Sequence, residues 1–302
     1  MVVIAALCMA APGAAPAQDL PATAEVAGQF ALGDTVGFGG ISGLEFNDDG
    51  SRFVALSDSA AVLRGHVTRN AHGVITALVA DGPAQALTDA TGGALADPFD
   101  DAEGLAVAAD GSLYVSFELQ HRVEHYPASG GPPTPLPVPR DFVGLGENTG
   151  LEALAIAPDG AIFALPEGPA SGSPTIPVFR FQGGRWDVPF RIVGEGTWRP
   201  VGADFGPDGR LYLLERDFWG LLGFMSRLRR IRFDAGGLTD DQVLMTSRAG
   251  QFGNLEGLSI WQDKDGTLHA TLVSDNNFLP FLRSQFVDVV IHDGLDPMVT
   301  QD

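Results

Sequence analysis

One pattern recurs five times along the chain, and few folds accommodate that kind of repetition. Each copy carries a small residue, an acid, an apolar alternation, an Asp-Gly pair, a second apolar run and another acid. The copies read GGISGLEFNDDGSRFVALSDS from Gly39, FDDAEGLAVAADGSLYVSFEL from Phe99 and ENTGLEALAIAPDGAIFALPE from Glu147. The last two are RPVGADFGPDGRLYLLERDF from Arg199 and GNLEGLSIWQDKDGTLHATLVSDNNF from Gly253. Their first acids, Glu45, Glu103, Glu152, Asp204 and Glu256, stand 58, 49, 52 and 52 residues apart. A period of about 50 residues is the length of a four-stranded propeller blade. Asp49-Gly50, Asp110-Gly111, Asp159-Gly160, Asp208-Gly209 and Asp265-Gly266 supply the positive-φ turns that hairpins need.

These features predict an all-β fold: a single β-propeller of about five four-stranded blades. Six is the alternative if outer strands hide in the first, longest interval. Strand candidates at Glu25 to Leu32 and Ser284 to His292 flank the repeats, and their pairing would close the ring and remove two sheet edges. The Pro-rich stretch from Pro127 to Pro139 reads as a loop with an edge strand.

The first 17 residues are apolar and end in Ala15-Pro16-Ala17, which reads as an export signal, with residues 18–302 forming one domain. That predicts a periplasmic or secreted protein, although no Lys or Arg precedes the apolar run. Cys8 is the sole cysteine and lies within this leader, so the remainder has neither disulfides nor thiolate chemistry. With 38 acids against 18 bases, a net charge of −20, the chain is unsuited to nucleic acid, whose phosphates need basic clusters. No segment is long and apolar enough to span a bilayer. A monomer acting on a small anionic or ester substrate is expected.

Within a blade, the first acid begins the innermost strand and the second, Asp58, Glu118, Glu167, Glu215 or Asp275, ends the antiparallel next one. Ten carboxylates would thus gather around one channel mouth. Two carboxylates about 6 Å apart repel by roughly 3 kcal/mol at an effective dielectric near 20, so such a ring raises pKa values or recruits a cation. Hard oxygen donors favour Ca²⁺, or Mg²⁺ with retained waters. The expected ligands are Glu45, Asp58, Glu103, Glu152, Asp204, Glu256, Asp275 and Asn276, with Asn254 and Asn277 nearby. Arg122, Arg216 and Arg283 lie close in sequence to the second acids, where an anionic ligand would want them or where they simply neutralise charge. A structural alternative is that the repeated acids bond backbone N–H groups or pair with Arg. His121 and His125 have metal-like spacing only on a helix; on a strand they are about 13 Å apart. The segment from Asp217 to Arg230 reads as an apolar loop, packed between strands or covering the channel or a lipid surface.

The stretches GFGGISGLEF…FVALSD, NTGLEALAIAPDG, LLERDFWGLLGFMSRLRRIRF and NLEGLSIWQDKDG…LVSDNNFLPF resemble the phytase-like propeller proteins, also called "esterase-like activity of phytase". The resemblance implies repeated Glu and Asp residues working in phosphoester or ester hydrolysis; Asp204 stands where Glu is commoner. On this reading Glu45, Glu103, Glu152 and Glu256 hold Ca²⁺. One of Glu118, Glu167 or Glu215 is general base, and Arg216 or Arg122 clamps the developing anion. The alternatives are a calcium lactonase, a non-catalytic cation-dependent binding propeller, and a purely structural ion.

Overall fold

An Asp-Gly pair closing an apolar alternation turns the chain back on itself, and all five repeats do so in the same way. The turn glycines adopt φ of 69°, 84°, 83°, 72° and 84°, the left-handed region closed to most side chains. Each donates its N–H three residues back, as Gly111 does to the Ala108 carbonyl at 2.8 Å. The turn aspartate caps the corner: Asp110 Oδ1 accepts the Ser112 N–H at 2.9 Å, and Asp159 Oδ1 that of Ala161 at 3.1 Å.

The computed structural model describes residues 21–32, 39–143, 145–146, 150–169, 173–275 and 284–293. The five hairpins grow into five antiparallel sheets around a common axis. Blade 1 comprises Ile41–Phe46, Arg52–Ser57, Ala61–Arg69 and Ile75–Ala80, with a short fifth strand, Gln85–Ala86, also on the third. Blade 2 comprises Ala102–Val107, Leu113–Phe117, Arg122–Tyr126 and Thr134–Pro135. Blade 3 runs Leu151–Ile156, Ile162–Pro166, Thr175–Gln182 and Arg185–Val193; blade 4 runs Arg199–Phe205, Leu211–Phe218, Phe224–Asp234 and Gly237–Thr246. Blade 5 takes Asn254–Gln262, Leu268–Asp275 and Gln285–His292 from the end of the chain and Thr23–Ala31 from its beginning. The ring therefore closes by terminal strand pairing, from Thr23↔His292 to Ala31↔Gln285. The long first interval holds an extra edge strand and loop, not a sixth blade.

Burial follows position. The edge strand Thr23–Ala31 alternates exposed and half-buried residues, whereas the inner strands are buried along nearly their whole length. Apolar side chains form five clusters, each at one blade-to-blade interface: Leu56 with Val115, Val123 with Phe179, Phe163 with Ile231, Leu214 with Leu272, and Phe286 with Phe53. At the axis, small residues permit contact between neighbouring blades. A Cβ on Gly43 would stand 2.7 Å from Leu105 Cβ, one on Gly104 2.7 Å from Leu154 Cβ, and one on Gly257 2.9 Å from Leu44 Cβ. The resulting waist holds a space of about 10 Å³, one water at most.

The segment from Asp217 is not a packed loop. Asp217 and Phe218 extend a strand, and the short 3₁₀ turn Gly220–Leu222 projects from it, with Leu221 fully exposed. No helix among the described residues is long and apolar enough to cross a membrane.

Candidate metal centre at the channel rim

Every inner strand is interrupted at the same level by a β-bulge, between Ile41/Gly43, Ala102/Leu105, Leu151/Ala153, Pro200/Gly202 and Leu255/Gly257. A bulge frees a residue from the ladder and re-aims its side chain. The residues so placed are Ser42, Glu103, Glu152, Val201 and Glu256. On the second strands, Ser57, Phe117, Pro166, Glu215 and Ser274 pair with the residue before each bulge. The next residue along, Asp58, Glu118, Glu167, Arg216 or Asp275, forms the rim's outer tier.

Seven of the ten carboxylates expected at one mouth belong to this rim, all but Glu45, Asp204 and Glu215. Glu103 feels Glu152, Glu256 and Glu118; Glu152 feels Glu167; Glu256 feels Asp275; and Asp58 feels Asp275 in turn. Glu45 and Asp204 lie three residues further along their strands than Ser42 and Val201, about 10 Å at the rise of a strand. They reach the opposite mouth, where a cavity of about 1030 Å³ opens, lined also by Asp48, Tyr114, His125 and Lys264. Glu45 is held well above its usual pKa by burial and then by Asp204 and Asp48, and burial pushes Asp204 up to about 7.

Glu215 is a correction of one residue. It pairs with Pro200, so its side chain leaves the opposite face of the sheet from Arg216. Fully buried, it accepts from Arg227 Nε and, at 2.8 Å, from Arg229 Nη1, so no general base stands there. Arg122 is also engaged elsewhere: Nε donates to Glu124 Oε1 at 2.8 Å and Nη2 to the Phe99 carbonyl at 3.0 Å, over the Phe117 ring. His121 meets the Gly146 carbonyl and His125 lies tilted against the Tyr114 ring, so they form no metal pair. Asn276, Asn277 and Arg283 lie outside the described residues, as does the leader.

Among the described residues, Arg216 is the rim's cation. Nη1 donates to Glu256 Oε1 and, at 3.0 Å, to Asn254 Oδ1, while Nη2 reaches Glu167 Oε1 at 3.4 Å. Burial opposes its charge, but Glu256, Glu152 and Glu167 more than offset this, and its pKa is raised. Even so, one guanidinium leaves the rim strongly negative. Burial, then repulsion from Glu152, Glu256, Asp101 and Glu118, holds Glu103 well above the carboxylate range. Burial likewise raises Glu152 well above it against the pull of Arg216, and Glu256 to about 7. Asp58 reaches about 6 through burial and the Asp275 charge.

The tightest grouping is Asp101, Glu103 and Glu118, whose ligand oxygens all lie within 4.8 Å of one another. Burial raises both Asp101 and Glu118, and Glu118 also accepts the Gly150 N–H at 3.3 Å. Three clustered, partly buried carboxylates, with no guanidinium bonded to them among the described residues, fit a hard divalent cation. Asp101 was absent from the sequence expectations. Its backbone carbonyl accepts the Glu118 N–H, as Gly40 accepts that of Asp58 and Gly150 that of Glu167. Asp101 thus occupies a level where blades 1 and 3 have glycine, a signal visible only once the repeats are registered on their turns.

This rim sits inside a stretch matched by one family model. Residues 36–278 match the model described as phytase-like, "esterase-like activity of phytase". The chain is a member of that phytase-like family. No functionally curated protein matches it in sequence. Among solved structures, a PQQ-bound aldose sugar dehydrogenase from Streptomyces coelicolor is similar, with 14% identity and a TM-score of 0.51 over 90% of this chain and 98% of that one. A protein of unknown function from Dyadobacter fermentans aligns over 87% and 86%, with 12% identity and a TM-score of 0.48. At such identity the former likeness speaks for the propeller fold alone. The phytase-like domain, then, comes with an acidic cluster at one mouth suited to a divalent cation.

Proposed function

We propose that this phytase-like propeller is a divalent-metal-dependent hydrolase of phosphoesters or carboxylic esters, exported to the periplasm or beyond and acting at the rim. The observation carrying this reading is the Asp101–Glu103–Glu118 cluster, three carboxylates held together against their mutual repulsion. Asp101, Glu103 and Glu118 would hold the ion, Ca²⁺ or a Mg²⁺ that keeps its waters, because all the donors are hard oxygens. Such an ion polarises a scissile group and makes bound water more acidic. Glu152, buried beside Glu103 and shifted toward its protonated form, is the acid that delivers a proton to the leaving oxygen. Glu167, partly exposed and tethered by Arg216, is the base that takes a proton from attacking water. Arg216 holds Glu167 and Glu256 in place instead of reaching for substrate. To test the proposal, phosphomonoesters, phosphodiesters, aryl esters and lactones are assayed with Ca²⁺ or EDTA. Calcium-dependent turnover lost in Glu118→Gln supports it; no metal-dependent turnover on any of them ends it.

A second reading is a non-catalytic, cation-dependent binding face. The engagement of Arg216 by Glu256, Asn254 and Glu167 favours it, because among the described residues the rim's cation is then spent on its own acids and not on a developing anion. Calcium-induced thermal stabilisation that Glu118→Gln abolishes, without turnover, would select this reading.

A further inference from the structure

From Phe218 to Met225 the chain reads FWGLLGFM, eight residues without a charge. The second and third strands of blade 4 keep their ladder up to Phe218↔Phe224, whose rings lie 4.8 Å apart, and a short turn caps the pair. Within it the Trp219 N–H donates to the Gly223 carbonyl at 2.9 Å and the Gly223 N–H to the Gly220 carbonyl at 3.0 Å. Trp219 Nε1 donates to Asp217 Oδ2 at 2.7 Å, which fixes the indole by its polar edge. The turn is thus firmly built, yet its apolar side chains face outward. Leu221 is fully exposed, and Phe218, Trp219 and Leu222 are each more than half exposed. A hairpin tip ordinarily carries polar residues, so this one is a hydrophobic knob.

The knob stands at the rim mouth. Arg216 precedes Phe218 by two residues on the same strand, about 7 Å along it, and its guanidinium lies 5.8 Å from the centre of the Phe224 ring. The chain at 247–250 closes against the base, where the Gly250 N–H donates to the Phe224 carbonyl at 2.8 Å, and this stretch carries the exposed Arg248. Four apolar side chains so grouped expose on the order of 500 Å², a size that marks an interaction site. A lasting protein interface buries about 800 Å² on each partner. On the channel side, the surface that would supply the remainder is the carboxylate rim, which repels a second copy of itself. A lipid surface requires no remainder: Trp and Leu enter the interfacial layer by themselves, and a neighbouring arginine meets lipid phosphate. With a net charge of −20, the chain is matched to zwitterionic lipid and repelled by anionic lipid.

We propose that Phe218, Trp219, Leu221 and Leu222 insert into a zwitterionic lipid surface and dock the rim mouth against its headgroups. Docking does not rest on the hydrolase reading; where both hold, the ester within reach of the rim belongs to a lipid headgroup. The test mixes the full chain with phosphatidylcholine vesicles in EDTA, which removes any calcium bridge between rim and phosphate. Sedimentation and tryptophan emission are read without turnover, so docking and hydrolysis can fail separately. The chain is expected to sediment with the vesicles and its emission to shift to the blue, a shift that Trp219→Phe removes. Leu221→Glu/Leu222→Glu should weaken vesicle binding at least about tenfold while leaving the melting temperature unchanged, because both side chains are exposed. Val193→Glu, at an exposed apolar position on the outer strand of blade 3, should leave binding as it is. No vesicle binding, equal binding by the double leucine variant, or equal loss in Val193→Glu would each overturn the proposal. So would a lipid-free dimer that the double leucine variant breaks, since the knob would then seat a second copy.

Discussion

Replacing Glu103 with Gln removes one charge from a cluster whose ligand oxygens lie within 4.8 Å of one another. At that separation and an effective dielectric near 20, each pair of like charges repels by about 3 kcal/mol. Glu103 avoids part of this cost by holding its proton, so the metal-free variant should gain about 1–3 kcal/mol over the parent at alkaline pH. The pH dependence follows from the direction of the shift. Because the native pKa lies above the unfolded value, near 4.5, the penalty is absent below that pH and grows as pH climbs toward the raised native pKa. Parent and variant should therefore be nearly equal at pH 4 and diverge by pH 8. Calcium should reverse the order, stabilising the parent far more than the variant. Urea unfolding at both pH values, with EDTA or with saturating Ca²⁺, measures all four conditions. A variant less stable than the parent at pH 8 in EDTA, with calcium raising both equally, would show that the acids are not crowded and hold no ion.

Three further outcomes are expected. Glu215→Gln removes the buried carboxylate that Arg227 and Arg229 share, leaving them Glu195 and Asp241 respectively, and should cost about 1–3 kcal/mol in chemical denaturation, with calcium affinity unchanged. Gly257→Ala drives a Cβ to 2.6 Å from Val273 Cγ1 and 3.1 Å from the Leu44 backbone nitrogen, and should lower the unfolding free energy by about 1–3 kcal/mol or more. Arg216→Gln removes the charge that restrains Glu256, now raised to about 7. The loss of stability that the parent shows as pH rises from about 4.5 to 7 should then continue to higher pH, visible as a falling melting temperature between pH 7 and 9.

The fold was legible because blade architecture is written in what recurs: the turn glycines, the apolar runs and the flanking terminal strands are all where the repeats put them. The rim was legible only in part, for a geometric reason. Choosing the nearest acid to each repeat start selected Glu45 and Asp204, whereas aligning on the turns gives Ser42 and Val201 at the level of Glu103 and Glu152, and the longer hairpin of blade 5 brings Glu256 to that level through its bulge. A strand converts a three-residue offset into the depth of the channel. In blade 4 an offset of one exchanged Arg216 for Glu215, and with it the channel for the blade interior. The bulges that aim the rim glutamates have no sequence mark of their own, and Asp101 becomes visible only against glycines at the same level in other blades.

The pinched waist at Gly43, Gly104 and Gly257 makes the disc a bulkhead between two chambers. A gap of about 10 Å³ is too narrow for a hydrated ion to pass along the axis from the Glu103 side to the Glu45 side. Each chamber equilibrates only with the solution outside its own door, and neither can serve as the other's supply or drain.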